Sequence, residues 1–280
     1  MKTMESQMRG GLFRLGRVEE IHAANIAVHR FEAERYELLH PEVYNQREQE
    51  RIVSFLKMAD RLVLGKTKKA LDVGAGTGNV TGKLLRMGYL VTAVDLSSEM
   101  CAILKRKYSE YISAGKLVVV NSPVEEIKIR NCFDLITCYS VLHHLPDYET
   151  ALIQLAGLLK EGGVLYVDHE ASPFYWMDEP RALAQLVKLL YFHSVPPLNM
   201  LYLRFAGVEA PRIDYTVSDY WHKKEHPVDH ARIEKIFREE KFEYFKRIDY
   251  YLNGTLLINP LFNVYRRLCR PEMSCWLARK

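Results

Sequence analysis

Between Ala70 and Gly78 the chain runs Ala-Leu-Asp-Val-Gly-Ala-Gly-Thr-Gly. Glycines at positions 74, 76 and 78 remove the side chains that would keep a ligand off the backbone, and they permit dihedrals other residues avoid. Ala75 and Thr77 complete the turn. The spacing is G-x-G-x-G, whereas the dinucleotide fingerprint is G-x-G-x-x-G, with its third glycine opening room around a pyrophosphate. Asp72 stands immediately before the turn. A carboxylate there suits a cationic ligand better than a pyrophosphate. Asp95 follows 17 residues after Gly78, where a carboxylate at a strand end can accept hydrogen bonds from ribose hydroxyls.

Proton transfer has its own candidates. His143 and His144 are adjacent, and histidine can accept a proton near neutral pH. They are the candidate catalytic bases. Tyr36, His40 and Tyr44 in the N-terminal region could reach an acceptor from one side, and Glu170, Tyr220, Trp221 and His222 from the other. Five scattered cysteines, an odd number with no C-x-x-C pair, argue against a disulfide framework or a zinc site. No metal is expected, and a reducing, cytoplasmic setting is.

The elements that would position these groups fall into regions. Residues 17–64 read as helices, with Ile21, Ala24, Val28 and Phe31 at near-helical spacing, and Ile52, Leu56, Ala59 and Val63 likewise. His40-Pro41-Glu42 interrupts them. From Lys69 onward short apolar strands alternate with helices: strands at Ala70–Val73, Leu90–Val94, Leu117–Val120, Phe133–Tyr139 and Val164–Asp168. Helices are expected over Val80–Met87, from Ser97 or Ser98 to about Ala114, and over Tyr148–Lys160, closed by Gly162-Gly163. Pro180–Phe192 and Asp229–Glu240 read as further helices, and Phe242–Leu252 and Met273–Ala278 as final strands. Apolar strands alternating with helices signify a parallel sheet covered on both faces. The expected fold class is therefore α/β, a doubly wound, mostly parallel sheet.

Several ordered segments across residues 69–169 resemble class I S-adenosylmethionine-dependent methyltransferases, particularly the group containing ubiquinone and menaquinone methyltransferases. They are the glycine turn, Val94-Asp95-Leu96-Ser97-Ser98-Glu99-Met100, Phe133-Asp134-Leu135-Ile136, Ser140-Val141-Leu142-His143-His144-Leu145-Pro146 and Leu159-Lys160-Glu161-Gly162-Gly163. The resemblance implies a seven-stranded Rossmann-like methyltransferase fold with S-adenosyl-L-methionine as cofactor and S-adenosyl-L-homocysteine as product. It places Gly74, Gly76 and Gly78 along the methionine portion, Asp95 on the ribose, and Leu96 and Met100 beside the adenine. Ser122, Pro123 and Val124 fall where the family recognises the adenine edge, and Tyr139 beside the sulfonium. Many relatives carry aspartate at the position of Ser122; a hydroxyl accepts a hydrogen bond less strongly than a carboxylate. The His-His-Leu-Pro run recurs in relatives with different acceptors, which points to a structural role for the loop.

The expected organisation is an N-terminal helical lid (residues 1–64), a cofactor-binding core (65–170), a helical, aromatic cap insertion (171–228) and a C-terminal helix and strands completing the sheet (229–280). The cap, rich in aromatic residues between Pro173 and Phe205, would cover a small, hydrophobic or lipid-like acceptor methylated on oxygen, nitrogen or carbon. A peripheral membrane contact is the other use for such a segment. With 48% hydrophobic residues, 26% charged residues and a net charge of +4 over 280 residues, the chain is an ordinary globular one. Nothing in that charge calls for nucleic acid, so RNA methylation is the lesser alternative, beside a non-catalytic S-adenosylmethionine-binding subunit. Neither a signal peptide nor a transmembrane segment is expected.

Overall fold

The strand β1 (Lys69–Val73) is buried on both sides except at its first residue, and the rest of the sheet grows outward from it. The computed structural model describes residues 2–127, 132–177, 179, 182–193, 215–252 and 259–280. The other strands are β2 (Leu90–Asp95), β3 (Leu117–Asn121), β4 (Phe133–Tyr139), β5 (Leu159–Ala171), β6 (Tyr244–Tyr250) and β7 (Met273–Arg279). Their order is β3-β2-β1-β4-β5-β7-β6. The first five are mutually parallel, and β7 runs antiparallel to both β5 and β6. This is the expected seven-stranded, mostly parallel sheet. From β1 the chain first builds outward through β2 and β3, then returns to start β4 on the other side. The reversal opens a crevice at the carboxyl ends of β1 and β4, which is where open α/β sheets bind ligands.

Alternating side chains send the sheet's apolar residues to two separate cores. On one face Leu71, Ile136 and Trp276 pack beneath α8 (Tyr148–Leu158) and α11 (His230–Glu239). On the other, Ala70, Leu135 and Tyr166 pack beneath α4 (Gln46–Leu62) and α5 (Asn79–Arg86). Ahead of α4 lie α1 (Lys2–Glu32), α2 (Tyr36–Leu39) and α3 (Pro41–Tyr44). They form the N-terminal helical region, which is broken at His40 as its proline neighbour demands. Asn45 caps α4, its side chain accepting from the Glu48 N–H at 3.0 Å.

Two helices end earlier than their sequences suggest. The helix expected to reach Ala114 breaks at Tyr108 into α6 (Ser98–Lys107) and α7 (Ser109–Ser113). Tyr108 leaves helical dihedrals, and its hydroxyl donates to the Gly78 carbonyl at 3.0 Å. A tertiary bond to the glycine turn thus overrides local propensity. Likewise α8 stops at Leu158, because Leu159 pairs with Phe133 and begins β5. Gly162-Gly163 lies inside that strand: Gly162 takes φ +71° and donates to the Lys280 carbonyl at 2.8 Å.

In the expected cap, α9 (Ala182–His193) packs against α12 (Asn259–Leu268), with Ala184 and Val187 meeting Tyr265 and Cys269. This part of the segment builds a small core of its own away from the crevice. The stretch 194–214, which includes the remainder of the expected aromatic cap, lies outside the described residues. The short helix α10 (Tyr215–Ser218) returns to pack beside α1. Among the described residues no helix is long and apolar enough to cross a membrane.

Candidate functional site

A cavity of about 260 Å³ opens at the switch point, between the ends of β1, β2 and β4 and the N-terminal helices. Its floor is the glycine turn. Gly74 has φ +61° and Gly76 φ +52°, in the left-handed region where side chains are strained. A Cβ at Gly74 would also fall 2.4 Å from Val141 Cγ2, so the β4 loop closes directly over the turn.

Asp95 holds that turn in place. Its Oδ2 accepts from the Gly76 N–H at 2.7 Å and its Oδ1 from the Ser97 N–H at 2.8 Å. Each oxygen retains acceptor capacity toward the cavity, as a ribose diol requires. Burial pushes the Asp95 pKa up, while the neighbouring His29 pulls it the other way. Asp72 behaves differently. Its oxygens are engaged by the hydroxyls of Thr81 at 2.5 Å and Thr137 at 2.7 Å, and burial raises its pKa to about 6. The carboxylate expected to face a cation therefore braces β1 against α5 and β4.

Every residue expected to hold the donor lines the cavity except Gly78. Gly78 is instead the first cap of α5, where a Cβ would meet the Tyr108 ring at 2.5 Å. Ser122 lines the wall, its hydroxyl directed to the Pro123 carbonyl at 3.0 Å and to Glu126 at 3.3 Å. Tyr139 forms part of the far wall, donating to Glu48 at 3.1 Å and stacking on His169 at 5.0 Å.

The two candidate bases are adjacent in sequence and opposite in electrostatics. His143 faces Glu170 through Nδ1 at 2.8 Å. Burial disfavours its charge, but the Glu170 carboxylate prevails and holds its pKa above the ordinary value. Glu170 also accepts from the Val141 and Leu142 N–H groups, so it organises the loop. His144 places Nδ1 3.0 Å from the Ser218 carbonyl, which can only accept. That nitrogen therefore carries the proton, and Nε2 keeps its lone pair. Burial, with His143 and His29 nearby, drives the His144 pKa well below the ordinary value. His144 is a neutral imidazole lining the cavity, with one ring nitrogen left able to accept a proton.

Tyr36, His40 and Tyr44 line the opposite wall, as expected of the N-terminal region. The Tyr44 hydroxyl lies 3.1 Å from Thr77 Oγ1. His40 bridges Glu42 at 3.0 Å and Glu32 at 3.2 Å. Burial opposes its charge, yet the two carboxylates raise its pKa to about 9, so at neutral pH it is a cation without basic capacity. Glu170, Tyr220, Trp221 and His222 are not part of the cavity wall. Glu170 sits behind His143, and the Trp221 indole donates to the Leu145 carbonyl at 2.8 Å. His222 packs 5.4 Å from His143, and Tyr220 carries the Arg17 guanidinium on its ring.

Several wall residues escaped the sequence reading. His22, Asn25, His29 and Glu32 of α1 all line the cavity. Their spacing of three, four and three residues is a polar stripe on one helix face, a signal that was present but hidden behind the apolar stripe of Ile21 and Val28. Asn25 donates Nδ2 to the Ile21 and His144 carbonyls, both at 3.0 Å. Since both partners are acceptors, the amide orientation is settled, and the enclosed Oδ1 has no protein partner.

The lock between α4 and β5 also had no linear signature. Arg51 binds Glu48 at 2.5 and 2.9 Å and Asp168 at 2.9 and 3.2 Å, with its guanidinium 3.8 Å from the Tyr250 ring centre. Burial works against the Glu48 charge, but Arg51 holds its pKa down at about 2. Among the described residues, His143, His144 and Asp219 bring one possible metal-ligand atom each within 4.8 Å of one another. The Nδ1 atoms of both histidines are already hydrogen-bonded.

Residues 71–167 match the family described as "Methyltransferase domain". The chain is 31% identical over 115 residues to a ubiquinone biosynthesis O-methyltransferase of Coxiella burnetii, covering 40% of this chain and 47% of that protein. It is 33% identical over 99 residues to the mitochondrial ubiquinone biosynthesis O-methyltransferase of Schizosaccharomyces pombe, covering 35% and 36%. The chain thus spans less than half the length of these curated relatives. Among solved structures, a magnesium protoporphyrin IX methyltransferase from Synechocystis with bound S-adenosylmethionine superposes with a TM-score of 0.52 at 14% identity, covering 92% and 97% of the two chains. A phosphoethanolamine N-methyltransferase 2 from Haemonchus contortus superposes at 0.55 and 14% identity, covering 85% and 54%. These likenesses are to the fold.

Proposed function

We propose that the chain is a class I S-adenosylmethionine-dependent methyltransferase, a reading supported by the methyltransferase-domain match over residues 71–167 and by the ubiquinone biosynthesis O-methyltransferase relatives, and that its cavity binds S-adenosylmethionine and transfers the methyl group to a small molecule. The observation that carries this reading is the joint construction of Asp95 and the glycine turn. One buried carboxylate fixes the Gly76 and Ser97 N–H groups and keeps acceptor capacity toward the cavity. The residues fit the cofactor: at Gly76 a Cβ position has no protein atom within 4 Å, so the turn stands open there, and the open acceptors of Asp95 match a ribose diol.

When bound, S-adenosylmethionine supplies a methyl group already activated on a sulfonium. The protein is left to align the acceptor, exclude water and handle one proton. Gly74–Thr77 and Asp95 hold the donor, with Leu96, Met100, Ser122, Pro123 and Val124 walling the adenine side and Tyr139 the sulfur side. His144 accepts the proton from a protic acceptor atom through Nε2, its Nδ1–H anchored on the Ser218 carbonyl. His143, locked to Glu170, sets the loop that presents it. The ubiquinone biosynthesis enzymes among the relatives favour a small organic acceptor over RNA.

The test is calorimetric titration with S-adenosylhomocysteine, followed by an assay for its release from S-adenosylmethionine with small acceptors. Saturable binding and acceptor-dependent release are expected. Absence of any binding by S-adenosylhomocysteine would remove the proposal altogether.

A further inference from the structure

The cavity wall has one conspicuous charge asymmetry. Apart from Asp72, spent as a brace, and Asp95, which pins the glycine turn, four acidic residues line it, Glu32, Glu42, Glu125 and Asp219, and among the described residues no lysine or arginine does. A phosphate or carboxylate on the acceptor would need a cationic partner to offset its desolvation, and the two wall histidines whose charge is favoured are already taken, His40 by Glu32 and Glu42 and His143 by Glu170.

Two further features point to the opposite charge. His29 and Tyr36 stand edge to face at 6.1 Å, Tyr36 and Tyr44 at 6.2 Å, and His29 and His144 at 5.7 Å. Tyrosine ring faces attract organic cations. In the same wall the Asn25 Oδ1, on a side chain only 4% exposed, is enclosed with no protein donor. An orphaned acceptor calls for a ligand N–H or O–H.

We propose that the acceptor is an organic amine that enters as its ammonium, held between the carboxylates of Glu32 and Asp219 and the Tyr36 ring, and that anionic acceptors are excluded. This rests on the methyltransferase reading. The ammonium gives one proton to His144 Nε2, and the freed nitrogen lone pair forms the N–CH₃ bond as the S–CH₃ bond breaks. The bond pair stays on sulfur as the neutral thioether, and the positive charge passes to the methylated ammonium.

The test uses the protein saturated with S-adenosylhomocysteine and a matched probe series: 2-phenylethylamine, 2-phenylethanol and 3-phenylpropanoate, titrated by calorimetry at low and high salt. The amine is expected to bind at least ~10-fold more tightly than the alcohol, with the carboxylate weaker still. Added salt, and separately Glu32→Gln or Asp219→Asn, should shrink the amine's advantage several-fold while leaving the alcohol unchanged. A carboxylate that binds as well as the amine, or a series in which no probe binds, overturns the proposal. Either result would leave the methyltransferase reading standing, because S-adenosylhomocysteine binding is measured separately at the outset.

Discussion

Around Gly74–Thr77 and Asp95 the cavity is walled largely by backbone, in a turn that follows β1 directly and is pinned by one carboxylate from the end of β2. From Asn25 to Tyr44 it is walled by side chains on helices that precede the sheet and reach the site only because α1, α2 and α3 fold back over it. The first region binds through groups every residue possesses, so its specification is local. The second depends on which faces of separate helices meet, and its groups are correspondingly adjusted. His40 is held charged by two carboxylates, and His144 is held neutral by burial. The contrast teaches that a backbone-built wall can be written in a short motif, whereas a wall of side chains from separate helices is written in packing.

The largest expected effect tests whether the helical half needs its lock to the sheet. Arg51→Met would leave Glu48 and Asp168 buried without their shared cation, at a cost of ~3–5 kcal/mol. Urea denaturation measures it. A loss below ~1 kcal/mol would mean that α4 is held by its apolar face alone.

His144→Gln separates the two regions by function. The turnover rate should fall ~100-fold or more, while S-adenosylhomocysteine affinity stays as it was. Because burial lowers the His144 pKa, the wild-type acid limb should lie below the ordinary histidine range, with the base fully available at neutral pH. Equal turnover in the variant would move the proton acceptor elsewhere.

Asp95→Ala addresses the backbone region. Removing a buried carboxyl acceptor that also orders the turn should weaken S-adenosylhomocysteine binding ~10- to 100-fold, read by calorimetry. Unchanged affinity would show that the glycine turn suffices without its pin.

The smallest effect concerns His40, and its sign follows from linkage. The folded pKa of about 9 lies above the ordinary 6.5, so its stabilisation is complete below pH ~6.5 and disappears as pH rises through ~9. His40→Gln should therefore cost ~1–2 kcal/mol near pH 6 and almost nothing above pH ~9.5, the group being partly open to solvent. A cost independent of pH would assign His40 a packing role only.

Much of the sheet was legible in the chain. Short apolar runs of strand length mark β1 to β5, and in β1, β4 and β5 burial on both faces imposes one continuous composition. Boundaries were less legible where distant partners intervene. Tyr108 ends α6 through a bond to the Gly78 carbonyl, and Leu159 joins β5 because Phe133 lies alongside. The cavity divides the same way. Of the residues proposed for the donor, all but Gly78 line the cavity, with Gly78 turned to α5 and Asp72 drawn into Thr81 and Thr137. Of those proposed for the acceptor, Glu170 and residues 220–222 lie outside the wall, whereas Asn25, His29, Glu32 and Asp219 are in it.

By itself the sequence determined the strand–turn–helix around the glycines and the carboxylate at the end of β2. Backbone geometry of that kind follows from residues adjacent in the chain. Only the tertiary structure decided which histidine keeps a free lone pair, which carboxylates meet in the cavity and which are spent as braces. Those properties depend on desolvation and on the charge of neighbours tens of residues away, and both come into being only when the helices close on the sheet.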